Sequence, residues 1–402
     1  VKNSTTAFIN ATLVISPAKV LNDAVLVIHN DKIESVGKNV KIPAEAQVID
    51  LNGKSIYPSF IDLYSGFGIA TPKRHGGNRF SSGAQYVASR SGYYWNDHVR
   101  PEPDAVTKFK FDAKKANELL KAGFGVVNTH YQDGIVRGNG MLVSLDTKGT
   151  DASRILEPRS AQYLSFSKGF QSSQVYPTSL MGSIALIRQF YMDAAWYAQG
   201  NVEKRDLSIE AFNANRNLVQ IIDAGKKLNN LRADKIGDEF GVQYVILGGG
   251  DEYEDLENIK KTNATYIIPI NFRAAYDVSD PLMADYVSLS DMRKWNQEPS
   301  NLKRLKDSEI EFTLTTHGLK SVNEFHKQLQ RAIAFGFNPD DALAALTTIP
   351  ARILGKSNEL GTLEAGKKAN FIITSGNPFE AKTVIYENWT LGTKHEINAM
   401  DK

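Results

Sequence analysis

Asp62, Tyr64, His130, Asp223 and His317 each stand where a strand-like run gives out. Parallel strands that share a sheet deliver side chains at such ends into a common cleft. Asp62 and Tyr64 close Tyr57-Pro-Ser-Phe-Ile-Asp-Leu-Tyr64, His130 closes Gly125-Val-Val-Asn-Thr-His130, and Asp223 closes Leu218-Val-Gln-Ile-Ile-Asp223. His317 follows Glu311-Phe-Thr-Leu-Thr-Thr316. Imidazoles and carboxylates in one cleft can move protons as general acid and base. His317, Asp62 and His130 are therefore the candidate catalytic residues. Asp62, His130, Asp223 and His317 could also offer oxygen and nitrogen donors to a divalent metal. Their spacing follows no metal-binding motif, and no metal is expected. Each residue also has a structural reading. An acid at a strand end commonly caps a loop amide or pairs with an arginine, a histidine ending an apolar run is commonly a satisfied buried one, and Tyr64 suits packing in the cleft. Gly248-Gly-Gly-Asp-Glu252 lacks either phosphate-loop pattern and reads as a tight strand-to-helix turn.

Composition narrows the classes. The 402 residues exceed one small core and suit a barrel of roughly 250 to 300 residues plus a smaller domain. With 47 basic against 45 acidic residues, the net charge of +2 gives no reason to propose nucleic acid or an anionic membrane as partner. The absence of cysteine excludes disulfides, thiolate metal sites and cysteine nucleophiles. No apolar run is long enough to span a bilayer. The start, Val1-Lys-Asn-Ser-Thr-Thr-Ala-Phe8, lacks a signal-peptide apolar region and reads as a mature or truncated beginning.

The elements that must position these residues follow from periodicity. Residues 5–58 hold short alternating runs that predict a small antiparallel sheet. From 58 to 356, strand-like and helix-like blocks alternate: helix 112–122, strand 125–130, helix 183–199, strand 218–223, helix 226–240, strand 243–248, helix 253–261, strands 265–270 and 311–316, and helices 321–335 and 339–345. Pro339 after Asn338 marks the start of the last helix. Such repetition predicts parallel strands with right-handed crossovers, closed into a barrel. Strand texture returns at 359–363, 369–374, 383–388 and 389–393. The predicted class is α/β: a (β/α)8 TIM barrel over 58–357, with a small β-sandwich domain built from both chain ends, 1–57 and 358–402. Residues 66–104 form a long connection after the first barrel strand, fit for a lid or an interface. Its aromatic stretch Tyr86–Trp95 suits either an interface anchor or packing on its own barrel.

Four segments carry a resemblance. Asp31-Lys-Ile-Glu-Ser-Val-Gly37, Val48-Ile-Asp-Leu-Asn-Gly-Lys54, Thr347-Thr-Ile-Pro-Ala-Arg-Ile-Leu-Gly355 and Leu360-Gly-Thr-Leu-Glu-Ala-Gly-Lys-Lys-Ala-Asn-Phe-Ile372 are similar, in that order, to framing motifs of the amidohydrolase superfamily, in its imidazolonepropionase and prolidase-like branch. More narrowly, the chain resembles the degenerate N-terminal half of tandem amidohydrolases of Bacteroidetes type. The resemblance implies metal-dependent hydrolysis, with metal ligands from His-x-His after strand one, an acid or carbamylated lysine after strand four, histidines after strands five and six, and Asp after strand eight. This chain departs at every position: Asp62-Leu63-Tyr64, no convincing ligand between Ile155 and Leu207, Asp223, Gly248-Gly-Gly250, and His317. His29, His326 and His395 fall away from the mouth, and His75 and His98 fall in the long loop.

The expected function is a non-catalytic scaffold or interaction half of a larger hydrolase, with no cofactor, whose partner is an active amidohydrolase domain or a second copy. The alternative is an active metal-dependent hydrolase, using zinc or a similar divalent ion, that cleaves C–N bonds of a small amide or dipeptide-like substrate. The resemblance implies a periplasmic or exported setting; composition leaves a cytoplasmic one equally open.

Overall fold

The computed structural model describes residues 4–73 and 90–400. The chain opens with β1 (Thr5–Ser16), β2 (Lys19–His29), β3 (Lys32–Gly37), β4 (Gln47–Asp50) and β5 (Ser55–Pro58). β1, β2 and β3 run antiparallel, while β4 and β5 both pair with β1 in parallel. The terminal sheet is therefore mixed, not purely antiparallel as expected. β4 lines up with Thr6–Ile9 and β5 with Thr12–Leu13, so one long strand serves two short ones.

The barrel sheet follows: β6 (Phe60–Ser65), β7 (Phe124–Thr129), β8 (Val136–Ser144), β9 (Ile155–Ser165), β10 (Val219–Gly225), β11 (Val245–Gly248), β12 (Thr265–Pro269) and β13 (Phe312–Thr315). They lie side by side in chain order. β6 pairs with β7, and β9 through β13 with one another, in parallel, but β8 is antiparallel to both neighbours. This corrects the expectation of a (β/α)8 barrel. Six residues, 130–135, separate β7 from β8. That is far too short for a crossover helix, and a short loop can only return the chain antiparallel.

Helices cover the outside, including Ala113–Lys121, Leu180–Ala198, Leu207–Ala214, Lys227–Phe240, Leu256–Lys261, Asn301–Asp307 and Phe325–Ala334. Three of these starts are capped by sequence-local acceptors: Asp112 takes the amide of Lys115, Ser179 that of Gly182, and Asp206 those of Ser208 and Ile209. The barrel axis is filled by Ala161, Tyr163, Ile221, Val245, Leu247 and Ile267. Every second residue of β9, β10 and β11 thus points inward, as the pleat requires.

β14 (Phe371–Thr374), β15 (Ile385–Thr390) and β16 (Thr393–Glu396) complete the terminal sheet, β14 joining β5 antiparallel. Both chain ends therefore build one eight-stranded sheet. It folds over on itself: Phe8 of β1 meets Phe371 and Trp389 edge-on at 5.3 and 5.2 Å, although β1 pairs with neither β14 nor β15. The expected strand at 359–363 is a turn. Leu360 and Leu363, three residues apart, drop into two different cores. Asn388 locks the sheet to the barrel, accepting from Ser59 Oγ at 3.1 Å and donating to the carbonyls of Leu120 and Phe124 at 3.0 and 2.9 Å.

Candidate functional site at the barrel mouth

No ladder joins β6 to β13, the first and last barrel strands. One side chain closes that seam. Asp62 Oδ1 accepts from the Tyr64 amide at 3.0 Å and Thr315 Oγ1 at 2.7 Å; its Oδ2 accepts from the Thr316 amide at 2.9 Å and Thr316 Oγ1 at 2.7 Å. The carboxylate is fully buried. Burial pushes its pKa up, and the four donors oppose that. Two donors per oxygen leave Asp62 little capacity for a proton, a water or a metal. As a candidate base or ligand it is corrected to a staple, the loop-capping role open to it from sequence.

Above the seam stands Tyr64, its ring meeting His130 and His317 edge-on, each at 4.7 Å. Its hydroxyl donates to Asp223 Oδ2 at 3.1 Å and accepts from Arg137 Nη1 at 2.7 Å. Arg137, on β8, is buried. Its Nε donates to the Gly134 carbonyl at 3.0 Å, Nη2 lies 3.6 Å from Asp223 Oδ2, and Nη1 lies 3.4 Å from His130 Nε2. Burial works against its charge, but Tyr64 and Asp223 outweigh that and hold its pKa up. A guanidinium of the chain itself thus occupies the centre of the mouth. Sequence reasoning missed it. The available signal was a lone arginine inside Ile135-Val-Arg-Gly-Asn-Gly140, directly after His130.

His130 is fully buried and stacks on Tyr163 at 3.5 Å and 2°. Burial first, then Arg137 and His317, hold its pKa well below the ordinary range, so it is neutral. With Nε2 facing a guanidinium donor, the hydrogen belongs on Nδ1, and that atom has no partner among the described residues. It is not the satisfied histidine expected. Beneath it Asn128 donates to Tyr163 Oη at 2.7 Å, Tyr163 donates to the Leu63 carbonyl at 2.9 Å, and Ser160 donates to Asn128. This polar plug shuts the barrel below the mouth. His317 is half-buried; burial lowers its pKa, while Asp223 and Asp62 oppose and Arg137 adds to the lowering.

The structure therefore brings Tyr64, His130, Asp223 and His317 together, with Asp62 one layer below. Among the described residues, no three His, Asp or Glu side chains are placed to share a metal ion. The donor set does not fit a divalent metal: Asp62 is saturated, and a fixed cation fills the space beside His130 and Asp223. The Gly248–Gly250 turn is also self-filled, its amides at 249 and 250 held by Glu252 Oε1 at 2.8 and 3.3 Å. Loop residues roof the mouth. His98 accepts from the Gly169 amide at 3.1 Å and bonds the Gln174 carbonyl at 3.0 Å, and Asp133 takes the Phe170 amide at 2.6 Å. Gly138 lets this roof approach β8, since a Cβ there would stand 1.8 Å from the Pro103 carbonyl oxygen. Tyr94 donates to Asp193 at 2.6 Å and Trp95 stacks on Tyr176, so this part of the aromatic stretch packs on its own barrel. His75 and Tyr86–Ser89 lie outside the described residues.

A family model, the amidohydrolase family, matches residues 287–397, from just before the helix Leu289–Gln297 through β16. An imidazolonepropionase from Streptomyces avermitilis is 32% identical over 73 residues, 18% of either chain. The matched stretch thus spans under a fifth of that relative's length. Among solved structures, an amidohydrolase from Thermotoga maritima MSB8 superposes with a TM-score of 0.75 at 22% identity, covering 97% of this chain and 99% of that one. Together these matches support the amidohydrolase superfamily. A Xaa-Pro dipeptidase with bound methionine in its active site shares this amidohydrolase fold at a TM-score of 0.58 and 14% identity, covering 98% of this chain and 100% of that one.

The neutral, fully buried His130 of this amidohydrolase-like mouth gives a pH prediction. Its folded pKa lies below the unfolded value of about 6.5, so the unfolded chain binds the proton first. Its contribution is intact above pH ~6.5 and is lost as pH falls toward the folded pKa. The stability of the wild type relative to His130→Gln is expected to drop by up to about 1.4 kcal/mol per pH unit below that point. Urea melts of both proteins at pH 7.5, 6.0 and 5.0 measure this. A difference constant across that range would show that His130 is not held neutral.

Proposed function

We propose that this chain is an amidohydrolase-fold domain without metal-dependent hydrolysis of its own, serving as the scaffold or interaction half beside an active hydrolase domain, linked or docked. The observation that carries this reading is Arg137. Its guanidinium, bonded to Tyr64 and beside Asp223 and His130, supplies the positive charge that a divalent ion would bring to such a mouth. A second cation there would meet strong repulsion, because like charges at contact in a poorly solvated site interact far more than in water. A two-domain hydrolase of the tandem type, in a periplasmic or exported setting, is the arrangement in which such a domain has a use.

The test is metal content by inductively coupled plasma mass spectrometry, after dialysis and again after zinc or manganese loading. Far less than one ion per chain is expected in both samples. Near one ion per chain, lost in His317→Ala, would overturn the proposal. One observation favours the second reading, hydrolysis of a small amide or dipeptide-like C–N bond: His317 is a half-buried imidazole, kept neutral by burial, at the open end of the mouth. Neutral imidazole can take a proton from an attacking water. Turnover of such a substrate that disappears in His317→Ala, with melting temperature unchanged, would establish that reading.

A further inference from the structure

Two residues past β7, next in the chain to His130, Tyr131 forms one wall of an open cavity of about 660 Å³. The stretch after β6 forms a second wall and residues 107–110 a third. The backbone ties these two walls together: Ile69 and Phe109 make an antiparallel bridge, and the Lys110 amide donates to the Gly68 carbonyl at 2.7 Å. The volume suits a metabolite-sized ligand. Ile69 and Phe109 give the cavity an apolar side.

The rest of the lining is made of donors. Lys73, Lys108 and Lys110 are there, and among the described residues no Asp or Glu is. None of the three lysines forms an ion pair among the described residues. From residue 63 to 96 the sequence itself contains no acid, against Lys73, Arg74, Arg79 and Arg90. The acids nearest in the chain to Lys108 and Lys110 are committed elsewhere: Asp104 accepts from Asn139 Nδ2, and Asp112 takes the Lys115 amide at 3.1 Å. Asp133 spends its oxygens on the Phe170 amide at 2.6 Å and Gln171 Nε2 at 3.1 Å. Lys108 Nζ lies 5.1 Å from the Tyr131 ring centroid, a cation–π distance that holds the ammonium at the wall. The Tyr131 hydroxyl accepts from Gln171 Nε2, so its own hydrogen has no acceptor among the described residues. Three ammonium groups and a hydroxyl thus converge on one space with no anion to receive them. Such groups repel one another, and an anion of more than one charge relieves all three. Lysine is a point charge well suited to phosphate.

We propose that this cavity binds a small organic phosphate monoester, its phosphate on Lys73, Lys108 and Lys110 and its apolar body against Ile69 and Phe109. This stands independently of what the barrel mouth does. The probe is phenyl phosphate, titrated into the full chain by isothermal titration calorimetry at low ionic strength and pH 7.5, where such an ester is dianionic. Saturable binding of one molecule per chain is expected, weakening as salt is added. Inorganic phosphate, which lacks the apolar body, is expected to bind at least tenfold more weakly. Lys108→Gln/Lys110→Gln, at exposed positions, is expected to keep the far-ultraviolet circular dichroism and to weaken phenyl phosphate at least tenfold. As a control, Lys114→Gln/Lys121→Gln removes the same charge from exposed positions on the helix Ala113–Lys121, outside the cavity, and is expected to leave the affinity within twofold. No saturable binding of phenyl phosphate overturns the proposal, as does an equal loss in both double variants, which would mean attraction to surface charge alone. Inorganic phosphate bound as tightly as the ester overturns the assignment of an organic ligand. A heparin fragment bound more tightly than phenyl phosphate, and lost in Lys108→Gln/Lys110→Gln, overturns the small ligand in favour of a polyanion.

Discussion

Asp62→Ala is expected to lower stability by about 4 kcal/mol, measured by urea unfolding at pH 7. The substitution strands four donors at the seam between β6 and β13, two of them backbone amides that cannot turn away. Thr315 Oγ1 has an alternative acceptor in the Tyr64 carbonyl at 3.2 Å, so its loss is softened. Each orphaned buried amide costs roughly 1–3 kcal/mol, and the vacated space adds to that. Asp62→Asn should cost about half as much: its carbonyl keeps two donors, while its amide turns a donor toward the Thr316 amide. A residue kept for chemistry behaves oppositely, because removing a strained or desolvated catalytic acid leaves stability unchanged or raises it. A loss under ~1 kcal/mol for Asp62→Ala would therefore sink the staple and return Asp62 to the list of catalytic candidates.

The seam explains which parts of this molecule could be read from its chain. β10 through β13 and the helices between them are local signals: a short apolar run, then a helix-forming stretch, repeated. The start of the helix Pro339–Leu346 is written in Asn338-Pro339. β8 is not legible, because Gly138, Gly140, Arg137 and Asn139 break its alternation and mimic a loop. Those glycines are there because Pro103 and the Tyr163 ring press against that strand where a Cβ would stand. The feature that permits the packing also erases the pattern. Asp62, His130, Asp223 and His317 could be placed at strand ends from spacing alone. What each does could not, since three of the four donors to Asp62 come from Thr315 and Thr316, more than 250 residues away, and the guanidinium that sets the mouth's charge lies on the hidden strand.

Arg137→Met is expected to lower stability by about 3 kcal/mol. Methionine fills similar volume, so the effect isolates the polar groups. The change leaves the Gly134 carbonyl without its donor at 3.0 Å, removes one bond from the Tyr64 hydroxyl and leaves Asp223 without its counter-ion. Breaking a buried pair from one side costs ~3–5 kcal/mol when the remaining charge is sealed in. Asp223 keeps 28% side-chain exposure, so water relieves part of the loss and the lower end applies. Arg137→Lys should recover only part, because one ammonium cannot reach the Gly134 carbonyl and the Tyr64 hydroxyl in the geometry of a planar fork. If Arg137 is the mouth's resident cation, removing the acid as well should help. Arg137→Met/Asp223→Asn is expected to be more stable than the sum of the single losses predicts, by ~1 kcal/mol or more. The same variant should free His130, whose titration Arg137 holds down second only to burial. Its imidazole pKa, followed by nuclear magnetic resonance, should rise in Arg137→Met. Additive losses with an unmoved His130 would mean that Arg137 fills space at the mouth without setting its electrostatics, and the case against a metal there would fall with it.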